Sequence, residues 1–194
     1  QNIMANTLVK MNVHIVFHVK STGIKMRTED LERIFSYIGG IINGIGGIPM
    51  EVGGVENHIH ILTTLPKDMS LSDFVRIIKT DSSRWIKKID DYYSRFSWQV
   101  GYGAFSVSSS VVDRTANYIR NQSRHHKRRT FRDEYKLFLE AYGVEYDERW
   151  KRLSGSSVSS RSKSPPLRYG MSRHSWRRFL SQPYSVNRAS RSAG

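Results

Sequence analysis

The most restrictive feature of this sequence is residues 13–19, VHIVFHV. The run is β-branched and apolar, so it reads as a buried strand. A buried strand needs neighbours to pair its backbone and a layer to cover its side chains. The segments that follow are patterned to supply both. Thr28, with Glu29 and Asp30 behind it, reads as a helix start with acidic residues in the first turn. Leu31, Ile34, Phe35, Ile38, Ile41 and Ile42 then recur at helical spacing, and the Gly44–Gly47 stretch stops that helix. Ile48–Val55 and His58–Leu62 read as two strands joined by a tight turn at Glu56 and Asn57. Ser70 reads as the cap of a second helix, with Asp73 standing where a capping box has its Glu. Leu71, Phe74, Val75, Ile78, Trp85, Ile86 and Ile89 form its apolar stripe. Tyr102–Ser108 reads as a short strand, Asp113 to about His125 as a third helix, and Phe131–Tyr142 as a fourth.

The order strand, helix, strand, strand, helix, strand is the split βαβ pattern. The expected fold class is therefore α+β and ferredoxin-like: an antiparallel sheet with helices on one face, plus an additional C-terminal helix. Two segments are expected along the chain: a folded domain over 1–150 and a flexible tail over 151–194. The tail holds thirteen Ser and ten Lys or Arg, no Asp or Glu, and no sustained apolar period.

That tail changes what the net charge means. The whole chain carries +14, which points to an anionic partner such as nucleic acid. Taking the tail's ten basic residues from the total of 31 leaves 21 basic against 17 acidic side chains in residues 1–150, or +4. The folded part is only mildly basic. There is no cysteine, so disulfides and thiolate metal sites are excluded, and any metal must be held by His, carboxylate or amide groups. No run of 18 apolar residues is present, so no membrane span is expected. The first ten residues lack the apolar stretch of a secretory signal, and cytoplasmic residence, at the nucleoid when DNA is bound, is the expectation.

Two short patterns carry chemistry. In NHIHIL, strand alternation puts His58 and His60 on one side and Ile59 on the other. Two imidazoles so placed can chelate a divalent ion. Taken alone, an H-x-H on a strand is more often a hydrogen-bonded or surface pair. In the third helix, Tyr118 and Gln122 are four apart, which puts them on one helix face. A tyrosine there is usually packing. It becomes a nucleophile only beside a metal, a base or a strongly activated electrophile. Gln122 offers a neutral carbonyl oxygen suited to a divalent ion. His125 and His126 precede Lys127, Arg128 and Arg129; a ligand from that pair is conceivable, but a basic helix end touching phosphates is the more ordinary reading. Arg120 and Arg124 belong with this group as candidate DNA contacts. His14 and His18 alternate on the first strand and read as core or sheet-surface residues.

Together these segments resemble one family, the HUH single-tyrosine transposases of the insertion-sequence-two-hundred type. VHIVFHVK, GGVENHIHIL, MSLSDFVRIIKTDSSRWI, WQVGYGAFSVSSS, VVDRTANYIRNQSRHHK and TFRDEYKLFLEAYGVEYDER all look like family segments in family order, over roughly Met4 to Arg149. The resemblance implies that His58 and His60 are the histidines of the HUH motif. It implies that Tyr118, on the C-terminal helix, is the catalytic nucleophile, and that Gln122 is the third protein ligand of Mg²⁺ or Mn²⁺. Family members commonly carry Asp before the first histidine, where this chain has Asn57. The residues from Lys151 onward have no family counterpart.

The activity so implied is cleavage and joining of single-stranded DNA at hairpin-containing element ends, through a 5′-phosphotyrosine. The family works as a homodimer, in which the tyrosine of one subunit can complete the site of the other. The chain carries no G-x-x-x-x-G-K-[ST] loop, in keeping with a reaction that needs no nucleotide hydrolysis. Two alternatives share the sequence features. One is a domesticated nuclease processing repeated palindromes, which genomic flanks would distinguish. The other is a non-catalytic single-stranded DNA-binding protein with aromatic side chains open on its sheet.

Overall fold

The computed structural model describes residues 8–21 and 23–122. Four strands and three helices make up this part. They are β1 (Asn12–His18), α1 (Leu31–Gly44), β2 (Ile48–Val55), β3 (His58–Thr64), α2 (Leu71–Ile86), β4 (Gly103–Ser106) and α3 (Val112–Arg120). The strands form one sheet in the order β2-β3-β1-β4, and every pairing is antiparallel. This is the split βαβ arrangement expected from the patterning. The expected fourth helix over 131–142, the part of the third beyond 122, and the segment 151–194 lie outside the described residues.

β1 is central, and all of its residues but His18 are buried. The reason is that both faces are covered. On one face Ile15 and Phe17 of β1 and Ile59 and Ile61 of β3 meet Ile34, Ile38 and Ile42 of α1 and Phe74, Val75, Ile78 and Ile86 of α2. On the other face Leu62 and Phe105 meet Tyr118 and Ile119 of α3. Among the described residues the helices therefore divide, with α1 and α2 on one side and α3 on the other.

Local chemistry explains most of the element boundaries. Ser70 caps α2 as its sequence suggests: its Oγ accepts the Asp73 N–H at 3.1 Å and donates to the Asp73 carboxylate at 2.7 Å. That hydrogen bond, with Arg76 beside it, holds the Asp73 pKa below its ordinary value. The start of α1 differs from expectation. Thr28 opens a 3₁₀ turn and caps nothing; its hydroxyl donates to Glu56 at the β2–β3 turn instead, and the α-helix begins at Leu31. α1 ends where Gly46 takes a left-handed φ of 82° and Gly47 N–H returns to Ile42 O. β2 is an edge strand and tolerates Pro49; its register shifts between Pro49 and Glu51. Ser82, a polar residue in the buried stripe of α2, donates to Ile78 O and accepts Trp98 Nε1–H, so it leaves neither group unsatisfied.

α3 is interrupted at Asn121, and Gln122 is helical again beyond the break. The Asn121 N–H is shared between the carbonyls of Asn117 and Tyr118, and its side-chain amide donates to Asn117 O at 2.7 Å. A side chain that competes for a helix carbonyl in this way favours a break over a continuation. Gln122 therefore follows the break, and the expectation that Tyr118 and Gln122 share one uninterrupted helix face is not met.

Candidate active site

The face under α3 carries an unusual concentration of imidazoles. Strand register explains it. Residues opposite one another in an antiparallel pair point to the same side. Val16 is paired with His60, His18 with His58, and His14 with Leu62. His14, His18, His58 and His60 therefore all project to the face that α3 covers. His14, His58 and His60 are fully buried there.

His58 and His60 lie with ring centroids 5.0 Å apart at 77°. Each has its Nδ1 engaged. His58 Nδ1–H donates to Asn57 Oδ1 at 2.8 Å, which leaves the His58 Nε2 with a lone pair. Asn57 thus supplies the kind of acceptor that an Asp would. His60 Nδ1 stands 3.0 Å from His14 Nε2, one donating to the other. Burial lowers the His14 pKa to about 3, so this ring is neutral at physiological pH. His18 is half-buried. Its Nδ1–H donates to Val19 O at 2.7 Å, and burial lowers its pKa while that carbonyl acts in the opposite sense.

Tyr118 is brought to this cluster by α3 of the same chain. Its ring centroid is 5.8 Å from that of His60 and 6.5 Å from that of His14, edge-on to both. Ile119, the next residue, is seated on Gly53 of β2, the register partner of His60. Gln122 is buried just past the end of α3. Arg120 is largely exposed; its guanidinium pairs with Glu51 of β2 and donates to Asn117 Oδ1 at 2.7 Å. Arg124, His125, His126, Lys127, Arg128 and Arg129 lie outside the described residues.

Among the described residues, no group of three or more His, Asp or Glu side chains is arranged to hold a metal ion. At this face the described residues offer imidazole nitrogens. No helix among them is long and apolar enough to cross a membrane. Sequence reading missed His14 and Gly53 as parts of the site. Their place depends on the β1–β3 and β2–β3 registers, for which the sequence has no local signal.

Residues 7–122 match the family model described as Transposase IS200 like. No curated protein matches the chain. Among solved structures, the chain is similar to a protein described as a transposase from Deinococcus radiodurans R1, at 17% identity and a TM-score of 0.48, covering 63% of this chain and 98% of that one. It is also similar to a REP-associated tyrosine transposase bound to a REP hairpin, at 14% identity and a TM-score of 0.48, covering 86% of this chain and 99% of that one.

Proposed function

The chain belongs to the IS200-like transposase family, and from that premise we propose that it cuts and rejoins single-stranded DNA through a covalent bond between Tyr118 and a DNA 5′ phosphate. The observation that carries this reading is the 5.8 Å approach of the Tyr118 ring to His60 within one chain. A phenol in ordinary packing has no need of a buried histidine cluster beside it.

A phosphodiester is anionic and repels a nucleophile, so the site needs a compensating cation. The donor chemistry fits a divalent one. His58 and His60 offer imidazole nitrogens, and Gln122 an amide oxygen; these are donor types that Mn²⁺ accepts well and Mg²⁺ accepts less readily. Such an ion, when bound, neutralises phosphate charge and orients a non-bridging oxygen. The chain's own contribution is positional. α3 holds Tyr118 beside the histidines, and Asn57 holds the His58 ring. Tyr118 Oη forms a bond to phosphorus as the bond from phosphorus to the 3′ oxygen breaks. The proton lost by the phenol is matched by one gained at the departing 3′ oxygen. The phosphotyrosine keeps the energy of the broken bond, so a second 3′-hydroxyl can reverse the step.

Hairpin-bearing single strands are the substrate we infer. The basic residues at 124 and 127–129 are the proposed phosphate contacts. Arg120 would first have to leave Glu51 to join them. The approach of Tyr118 to its own His60 supports assembly in cis; a homodimer would then pair two complete sites. Both faces of the sheet are covered, which argues against a binding protein with an open aromatic platform.

The test is an adduct assay with Mn²⁺ and single-stranded DNA from the gene's own flanks. Tyr118→Phe is expected to abolish the covalent adduct and to leave DNA binding largely intact. His58→Ala or His60→Ala is expected to lower cleavage by at least about a hundredfold, as is EDTA on the wild type. Adduct persisting in Tyr118→Phe, or cleavage insensitive to EDTA, would sink the reading.

A further inference from the structure

We propose that His14 is a positioning residue for His60: it accepts the His60 Nδ1–H and so holds that ring in the tautomer whose Nε2 carries a lone pair. This inference rests on the reading of His58 and His60 as a ligand pair and assigns a role to a third histidine outside that pair.

The geometry is a 3.0 Å approach between His14 Nε2 and His60 Nδ1, with both residues fully buried. The rings are close to parallel, at 26° with centroids 5.2 Å apart. The strand register sets up the contact. Val16 stands opposite His60, and His14 is one pair further along the same face. Diagonal neighbours of this kind are within reach of ring side chains in an antiparallel pair. The rings of Phe105 and Tyr118 lie against His14 as well, at 6.4 Å and 6.5 Å, so its orientation is confined by packing.

A hydrogen bond between two imidazole nitrogens 3.0 Å apart has one proton at that contact. There are two ways to place it. If His14 donates, the His60 proton sits on Nε2 and that nitrogen cannot ligate. If His60 donates, its Nε2 is left basic. His58 is held in the second condition by Asn57 Oδ1, which only accepts. With His14 as acceptor, both members of the pair carry the lone pair on the same nitrogen, Nε2. A partner that fixes the tautomer of a ligating histidine changes metal affinity without touching the metal.

The experiment uses the full chain. Long-range ¹H–¹⁵N NMR correlations of the histidine rings, recorded without metal, are expected to place the His60 proton on Nδ1 and none on His14 Nε2. A His60 proton on Nε2 overturns the proposal. Calorimetric titration with Mn²⁺ supplies a second readout. His14→Phe keeps the ring and removes the acceptor, and is expected to weaken Mn²⁺ binding by roughly 10–100-fold. His14→Gln restores an acceptor and is expected to recover most of the loss. Equal Mn²⁺ affinity in wild type and His14→Phe also overturns the proposal. If the wild type itself binds no Mn²⁺, the ligand-pair reading fails instead, and the tautomer spectrum still decides what His14 does.

Discussion

Asn57 stands directly before the histidine pair and is anchored twice. Its backbone carbonyl accepts the Val19 N–H at 2.8 Å, which ties it to the end of β1, and its side-chain oxygen accepts from His58. The amide therefore orients His58 from a fixed base. Asn57→Ala is expected to weaken Mn²⁺ binding by roughly 10–100-fold, whereas Asn57→Asp, which keeps an acceptor, is expected to bind at least as well as the wild type. Manganese titration followed by electron paramagnetic resonance checks both; wild-type affinity in the alanine variant would show that His58 needs no such support. At this scale the sequence was informative where chemistry is local. His58 and His60 share a face because strand side chains alternate, and that follows from the sequence once the strand is recognised. His14 sits 46 positions from His60, and nothing in its own neighbourhood marks it as different from His18.

The element that decides the site is α3, and what lets it sit close to the sheet is Gly53. A Cβ at Gly53 would lie 3.0 Å from both Ile119 Cγ2 and the Ile119 carbonyl oxygen. The φ of Gly53 is not in the left-handed region, so space and not backbone conformation is the reason for glycine here. Gly53→Ala is expected to lift α3 by a few tenths of an ångström and with it Tyr118. The rate of adduct formation should fall by about 10- to 100-fold, while Mn²⁺ affinity should stay near wild type and stability should drop by about 1–3 kcal/mol. Single-turnover kinetics beside calorimetry separates these quantities; unchanged adduct kinetics would mean that the seat of Ile119 does not set the position of Tyr118. The Glu51–Arg120 pair also ties α3 to β2, but with Arg120 largely exposed it contributes only about 0–1 kcal/mol. The helix itself was legible as an element from its composition. The break at Asn121 was not: the periodic pattern runs through it, but the Asn121 side-chain amide takes the Asn117 carbonyl.

Across the described residues, one sheet separates a large apolar core under α1 and α2 from a smaller cluster that includes Tyr118. The site is thus built on the face left free by the helices that stabilise the fold. Because Tyr118 meets His60 inside one chain, co-expressed Tyr118→Phe and His60→Ala chains are expected to yield no adduct. Adduct formation in that mixture would mean that one chain supplies the tyrosine to its partner's histidines. The role of Tyr118 came from the family resemblance, whereas the strand and helix order, the Ser70 cap and the shared face of His58 and His60 were all determined by the sequence alone. Each depends on the period of a segment or on residues a few positions apart, and the chain states those directly. The tertiary structure alone decided that β1 pairs with β3 so as to bring His14 against His60. It also decided that β2 offers α3 a bare glycine beside His60, and that Tyr118 reaches the histidines of its own chain. Those outcomes depend on strand register and on how closely a helix can approach a sheet. Both are set by the packing of segments far apart in sequence, where the pattern of any one segment is silent.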